Sequence, residues 1–304
     1  MEVNIDMNTT AKKLLTKTVR RIDGAYSAST IRAYKANFVR FIEFCESIQA
    51  NSLPANSGDI GNYIQYLAKS GLKSASIRIA IAAISSIHRL NQFSDPIQHP
   101  DVVIEMRRMH RTLGRSSKQA FGITKGILEK MIATTKSDLR GLRDKALILV
   151  AYDSLCRRSE LVSLKVNDIA LDDIKALSRI RLRRSKTDQE AIGKFIKINL
   201  RTQEFIQAWI RAAKIEDGFL FRGIANNGDI SKGINAGQIN RIYKRLAKKA
   251  GLSQAIIKNI SGHSFRVGAA QDLMTSGASL PILMNRGRWS KPETALRYIE
   301  SASC

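Results

Sequence analysis

Ser261-Gly262-His263-Ser264-Phe265-Arg266-Val267-Gly268-Ala269-Ala270 joins a polar, flexible opening to a run of small apolar residues, with two basic side chains three positions apart. The pattern predicts a helix over His263 to Ser276. His263 and Arg266 then share one face near its positive end, where anions bind. Taken alone, a His-x-x-Arg pair is equally at home in an ordinary helix.

Downstream, Gly287-Arg288-Trp289-Ser290 separates a short helix, Pro281 to Arg286, from another, Pro292 to Glu300, which carries Leu296-Arg297-Tyr298-Ile299. Trp289 alone reads as a core plug and Tyr298 as a half-buried aromatic. Upstream, Leu142 to Leu155 predicts a nearly all-apolar, buried helix, followed by Cys156-Arg157-Arg158-Ser159-Glu160-Leu161. An arginine fixed there presents a fork of donors to a phosphate, although taken alone an i,i+3 ion pair between Arg157 and Glu160 is the readier explanation of the spacing. Between these segments, Arg179 to Arg184 and Lys194 to Leu200 alternate apolar with polar residues, which predicts a small β-hairpin. Its turn bears Ser185-Lys186-Thr187-Asp188-Gln189. Thr124 is expected to cap a helix through Ala133, and helices are expected at Thr202 to Ala213 and Ala236 to Ala250.

The first third of the chain reads as all helical. Ile31, Tyr34, Phe38, Phe41, Ile42 and Cys45 recur at three- and four-residue steps within Ser29 to Ile48, with Ser29 or Thr30 available as N-cap. Similar patterns cover Gly58 to Lys69, Ser74 to Leu90 and Pro100 to Leu113. Leu113 to Gln119 then breaks the periodicity. We therefore expect a helical domain over 1–115, a linker over 116–123 and a second domain over 124–304.

The chain has 304 residues and a formal net charge of +24, far more than solubility requires, so a polyanion is the expected partner. Up to Ser117 there are 16 Lys and Arg against 9 Asp and Glu, and afterwards 34 against 17, so both halves are basic. Two domains gripping one polyanion fit this better than a basic tail. Arg32, Lys35, Arg40, Arg78 and Arg89 on the first domain's polar faces, with Arg241 and Lys244 on the second, are candidate DNA contacts. No run approaches eighteen apolar residues, and Met1 to Thr10 is polar with Glu2 and Asp6, unlike a secretory signal. A cytoplasmic protein, nucleoid-associated if bacterial, is expected. Cys45, Cys156 and Cys304 suggest reduced thiols. His88, His99, His110 and His263 show no metal-ligand spacing, and no phosphate loop or dinucleotide fingerprint occurs, so neither metal nor cofactor is expected.

Arg157, Lys186, His263-x-x-Arg266, Trp289 and Tyr298, in this order, resemble the active-site signature of the tyrosine recombinase, or phage integrase, family. Independent coincidence does not readily produce the whole set. The resemblance is strongest from Asp144 to Glu300, where Ala151-Tyr152-Asp153-Ser154-Leu155, the Lys186-Thr187 turn, the Gly262 to Ala270 stretch and Gly287 with Trp289 are similar to the Cre-like branch. It implies a mainly α fold with a small antiparallel β-sheet in the C-terminal domain, two domains clamping DNA, and strand exchange without metal or ATP. Arg157 and Arg266 would clamp the scissile phosphate, with Glu160 supporting. Lys186 would be the hairpin lysine, Trp289 a phosphate contact, His263 the partner of the phenol and Tyr298 the nucleophile. Arg158 competes for the first arginine position, but only Arg157 stands three residues before Glu160-Leu161. The implied partners are double-stranded DNA and further copies of this chain, a tetramer on two paired sites. Only six residues follow Tyr298, whereas the Cre-like branch has a longer helix there that docks on a neighbour. Assembly is therefore expected through the N-terminal domain, the Ser301 to Cys304 tail or another surface. A type IB topoisomerase shares the chemistry, and a non-catalytic DNA-binding regulator shares the fold.

Overall fold

The computed structural model describes residues 7–115, 119–170, 178–183 and 193–299. The chain divides into two compact units, Met1–Lys118 and Gln119–Cys304.

The first unit contains α1 (Met7–Arg21), α2 (Ala28–Ser47), α3 (Ser57–Lys69), α4 (Ser74–Leu90) and α5 (Pro100–Leu113). Its core is the set of apolar positions repeating along each helix: Phe38, Phe41, Ile42 and Cys45 from α2, Ile60, Tyr63, Ile64 and Leu67 from α3, and Ile77, Ile81 and Ile84 from α4. Two expectations need correcting. Ser27, rather than Ser29 or Thr30, caps α2, accepting a hydrogen bond from the Thr30 N–H at 3.2 Å. Helix α1 has no counterpart in the sequence reading, because it buries only a thin line in which polar and apolar residues mix, Asn8, Ala11, Leu15 and Thr18. Asn8 ties it down: its Nδ2 donates to the Ala50 carbonyl at 3.2 Å, and its Oδ1 accepts from the Ser52 hydroxyl at 2.6 Å.

The second unit is also mainly helical, with α6 (Lys125–Ala133), α7 (Leu139–Ser154) and α8 (Arg158–Ser163) preceding a small sheet of β1 (Ile169–Ala170), β2 (Arg179–Leu182) and β3 (Lys194–Lys197). Helices α9 (Leu200–Ala212), α10 (Ala236–Lys249), α11 (Gln254–Asn259), α12 (Ser264–Thr275), α13 (Leu280–Gly287) and α14 (Pro292–Ile299) follow. The sheet has three antiparallel strands in the order β1-β2-β3, with Ile169 opposite Ile180 and Ile180 opposite Ile196. The expected hairpin is thus extended by β1, which is too short to show alternation. Helices α8 and α11, six residues each, are likewise too short to show a period. Thr124 occupies the N-cap position of α6 but makes no side-chain capping bond. Asp272 of α12 satisfies that terminus instead, accepting from the Lys125 N–H at 2.6 Å.

Helix α7 runs through the core of this unit and is anchored at both ends. Asp138 caps its start, accepting from the Gly141 N–H at 2.7 Å. Near its end Asp153 accepts from the Asn199 N–H at 2.9 Å and the Thr202 hydroxyl at 2.6 Å, which fixes the start of α9. Arg143 pairs with Asp144 at 2.7 Å, and Arg245 of α10 closes on the other carboxylate oxygen. The end of α7 is therefore held rigidly. Helix α12 approaches residues 119–123 closely, with the Ile123 N–H donating to the Ser264 carbonyl at 2.9 Å. A Cβ at Gly268 would overlap the Ile123 carbonyl and the Thr124 nitrogen, both backbone atoms that have little room to give. Gly268→Ala is expected to destabilise the second unit by roughly 1–3 kcal/mol, the usual cost of overpacking. Chemical denaturation checks it, and an unchanged midpoint would mean that this approach is loose.

Candidate active site

Helix α7 ends on Leu155, whose backbone turns left-handed at φ 49° and ψ 31°. The turn presents its carbonyl to two guanidinium groups, Arg266 Nη1 at 2.7 Å and Arg288 Nη2 at 3.0 Å. Two residues on, Arg157 occupies the N-cap of α8, where its N–H donates to Glu160 Oε2 and its Nη1 to Glu160 Oε1, each at 2.8 Å. The i,i+3 ion pair and the phosphate-facing arginine read from the sequence are thus not exclusive, since the pair orients the arginine. Glu160 is 4% exposed. Burial pushes its carboxyl up, but the charge of Arg288 and the hydrogen bonds from Arg157 outweigh this and hold it below its ordinary pKa. Arg158, the rival candidate, lies across Gly262, where a Cβ would overlap its side chain.

Arg266 comes from the first turn of α12 and is 1% exposed. Besides Leu155, it donates to the Gly287 carbonyl at the end of α13. Its guanidinium carbon stands 4.7 Å from the centre of the Trp289 ring and 5.7 Å from that of Tyr298. The two rings are themselves 4.7 Å apart and tilted by 35°. Trp289 packs with Leu155, Ala269, Ala270, Leu283 and Ala295. A Cβ at Gly287 would overlap its ring, so only glycine permits this fold-back. Burial and the neighbouring charge of Arg157 push the Arg266 pKa down to about 10, which leaves it charged at neutral pH.

His263 stands at the N-cap of α12, one turn before Arg266, in a turn held by the Ser261 N–H donating to Ser264 Oγ at 2.9 Å. Its residue surface is exposed at the mouth of the pocket. Partial desolvation, then the positive charges of Arg266, Arg157 and Arg158, hold the imidazole below its ordinary pKa. An imidazole held towards its neutral form by the nearby guanidinium groups, in the same unit as the Tyr298 phenol, supplies parts that a phosphodiester and a phenolic proton would need.

The structure thus gathers Arg157, Glu160, His263, Arg266, Trp289 and Tyr298 in one unit. Lys186 and the Ser301 to Cys304 tail lie outside the described residues. Of the DNA-contact candidates, Arg32, Lys35 and Arg40 on α2, Arg78 and Arg89 on α4, and Arg241 on α10 are exposed, while Lys244 is half-buried. Arg89 also stands 3.7 Å from Asp95. The sequence reading missed a basic stripe on α5 and just past its end, where Arg107, Arg108 and Arg111 of the helix and Arg115 beyond it line a cavity of about 550 Å³; their three- and four-residue spacing was the available signal. It also missed Arg288. Among the described residues, no group of three or more His, Cys, Asp or Glu side chains is placed to hold a metal ion, and no helix is long and apolar enough to cross a membrane.

Comparison with known proteins gives concordant matches. The phage integrase family profile matches residues 123–303, and the profile of the phage integrase N-terminal SAM-like domain matches residues 21–92. The chain is similar to recombinase cre of Escherichia phage P1, at 24% identity over 85% of this chain and 80% of that protein. It is also similar to an integrase/recombinase xerD homolog of Selenomonas ruminantium, at 28% identity over 96% of this chain and 87% of that protein. Among solved structures, XerH site-specific recombinase bound to a palindromic difH substrate superposes with a TM-score of 0.67 at 18% identity, over 95% of this chain and 80% of that one. The Tn1549 transposon integrase in complex with circular intermediate DNA gives 0.63 at 17% identity, over 94% of both chains.

Because partial desolvation and then the surrounding positive charge disfavour its protonated form, the His263 imidazole is expected to titrate below the ordinary value of about 6.5. Arg157→Ala should raise that midpoint. Following the ring protons by NMR through a pH series checks both, and an ordinary midpoint insensitive to the substitution would contradict the placement.

Proposed function

The chain belongs to the phage integrase family, and from that premise we propose that it is a site-specific tyrosine recombinase whose Tyr298 cleaves and rejoins double-stranded DNA through a 3′-phosphotyrosyl link. The observation that carries the assignment of Tyr298 is its ring, held against Trp289 and within 5.7 Å of the buried Arg266 guanidinium.

The Tyr298 phenolic oxygen attacks the scissile phosphorus, forming one P–O bond as the bond to the 5′ oxygen breaks. The phenolic proton passes to His263, kept neutral by its surroundings, and the departing 5′ oxygen takes a proton from Lys186. Negative charge developing on the non-bridging oxygens is met by Arg157 and Arg266, with Trp289 closing the pocket. The phosphotyrosyl ester retains the energy of the broken phosphodiester, so the 5′ hydroxyl of another strand reverses the steps and reseals the DNA. Neither ATP nor a metal ion is needed for this exchange. Residues 1–115 act as the helical DNA-binding domain, residues 124–304 as the catalytic domain and 116–123 as the linker. The basic faces of α2, α4 and α10 follow the phosphate backbone. The protein works in the cytoplasm, on the nucleoid if the host is bacterial, as a homo-oligomer that pairs two sites.

The natural probe is a supercoiled plasmid carrying the DNA that flanks the coding region. Tyr298→Phe should abolish covalent attachment while DNA affinity stays within about twofold, since only one hydroxyl is lost; undiminished cleavage would remove Tyr298 from its role. Relaxation of a plasmid without those flanks would favour a topoisomerase. Arg157→Lys or Arg266→Lys should slow cleavage by on the order of 100-fold, because a point charge does not replace the bidentate fork. Lys186→Ala should slow cleavage of the ordinary ester yet spare a 5′-bridging phosphorothiolate, whose thiolate leaves without a proton. Equal losses on both substrates would place Lys186 elsewhere in the mechanism.

A further inference from the structure

Arg288 closes α13 in the left-handed region, at φ 56° and ψ 48°. A glycine occupies such a position without steric penalty, whereas an arginine there needs compensation from its side chain. That side chain is 6% exposed and does not reach for solvent. Its Nη1 donates to the Ser154 carbonyl at 2.9 Å, and its Nη2 donates both to the Leu155 carbonyl at 3.0 Å and to Glu160 Oε2 at 2.9 Å. It therefore joins the two supports of the pocket: the Leu155 carbonyl, which also holds Arg266, and the Glu160 carboxylate, which also holds Arg157.

The division of Glu160 is the informative detail. Oε2 receives the Arg288 guanidinium and the Arg157 N–H, so only Oε1 receives the Arg157 side chain, through the single nitrogen Nη1. A carboxylate with both oxygens available pairs with a guanidinium through two parallel bonds. That arrangement would consume the donors Arg157 needs for a phosphate. Resting on the recombinase reading above, we infer that Arg288 is a positioning residue, which occupies one oxygen of Glu160 so that Arg157 is held by a single side-chain bond and keeps the rest of its fork for the scissile phosphate. Arg288 gives Nη1 and Nη2 to protein acceptors, and its buried Nε finds no partner among the described residues, so its part is assigned to Glu160 and Leu155 rather than to DNA. The ionised state of Glu160, sustained largely by the Arg288 charge, is consistent with this arrangement.

Arg288→Gly tests it, since glycine suits the left-handed backbone and removes only the side chain. On a duplex of the flanking DNA, with enzyme in excess, the single-turnover cleavage rate should fall by about 10- to 100-fold, the scale of a small misplacement in an active site, while DNA affinity stays within about twofold. Arg288→Lys, which keeps the charge near Glu160, should recover part of the rate. In a Glu160→Ala background, Arg288→Gly should cost less than about threefold, because its route is already gone. Wild-type cleavage by Arg288→Gly overturns the inference, as does a loss that Arg288→Lys does not relieve, that is fully additive with Glu160→Ala, or that follows a matching loss of folded protein. Cleavage by the unsubstituted chain in the same assay keeps these failures separate from failure of the recombinase reading, in which nothing would be cleaved.

Discussion

The buried charge of Arg266 is the constraint around which the second unit is arranged. Moving a guanidinium out of water costs several kcal/mol unless its donors are satisfied. Among the described residues no carboxylate pairs with it. The carbonyls of Leu155 and Gly287 and the faces of Trp289 and Tyr298 take that place. Carbonyls and ring faces satisfy donors without cancelling charge. The pocket therefore retains positive potential, and in the proposed reaction the phosphodiester would supply the missing anion. Stabilisation that is in place before the reaction needs no reorganisation during it.

This arrangement depends on the backbone at helix ends. Leu155 exposes its carbonyl only because α7 ends in a left-handed residue, and α7 ends there because Asp153 and Asp138 fix its termini. Gly287 lets Trp289 fold back across the end of α13, and Gly268 lets α12 settle on residues 123 and 124. Leu155 and Gly287 act on Arg266 directly through their carbonyls, whereas Gly268 acts through the seating of α12. Among the described residues one carboxylate, Glu160, serves Arg157 and Arg288 together, so cations there outnumber anions.

Much of the site was legible in the sequence because its chemistry imposes residue types in a fixed order. Arg157, His263, Arg266, Trp289 and Tyr298 are individually bland, and together they are not. The long helices were equally legible from periodic apolar residues, as in α2 and α4. What escaped had a physical reason to do so. Helix α1 buries a thin line that mixes polar with apolar residues, β1 spans two residues, and α8 and α11 are shorter than two turns, so none generates a clear period. Arg288 escaped because a glycine at a helix end ordinarily takes the left-handed position. Here Trp289 leaves Gly287 no room for a Cβ, the glycine stays helical, and the left-handed turn passes to the arginine beside it.

The most direct measurement is mass spectrometry of the protein trapped on a nicked duplex of the flanking DNA, digested with protease and nuclease. The expected product is a single peptide containing Tyr298, bearing a nucleotide through its 3′ phosphate. A 5′ linkage, an adduct on another side chain, or cleaved DNA without any protein adduct would contradict the assignment of Tyr298 as the nucleophile.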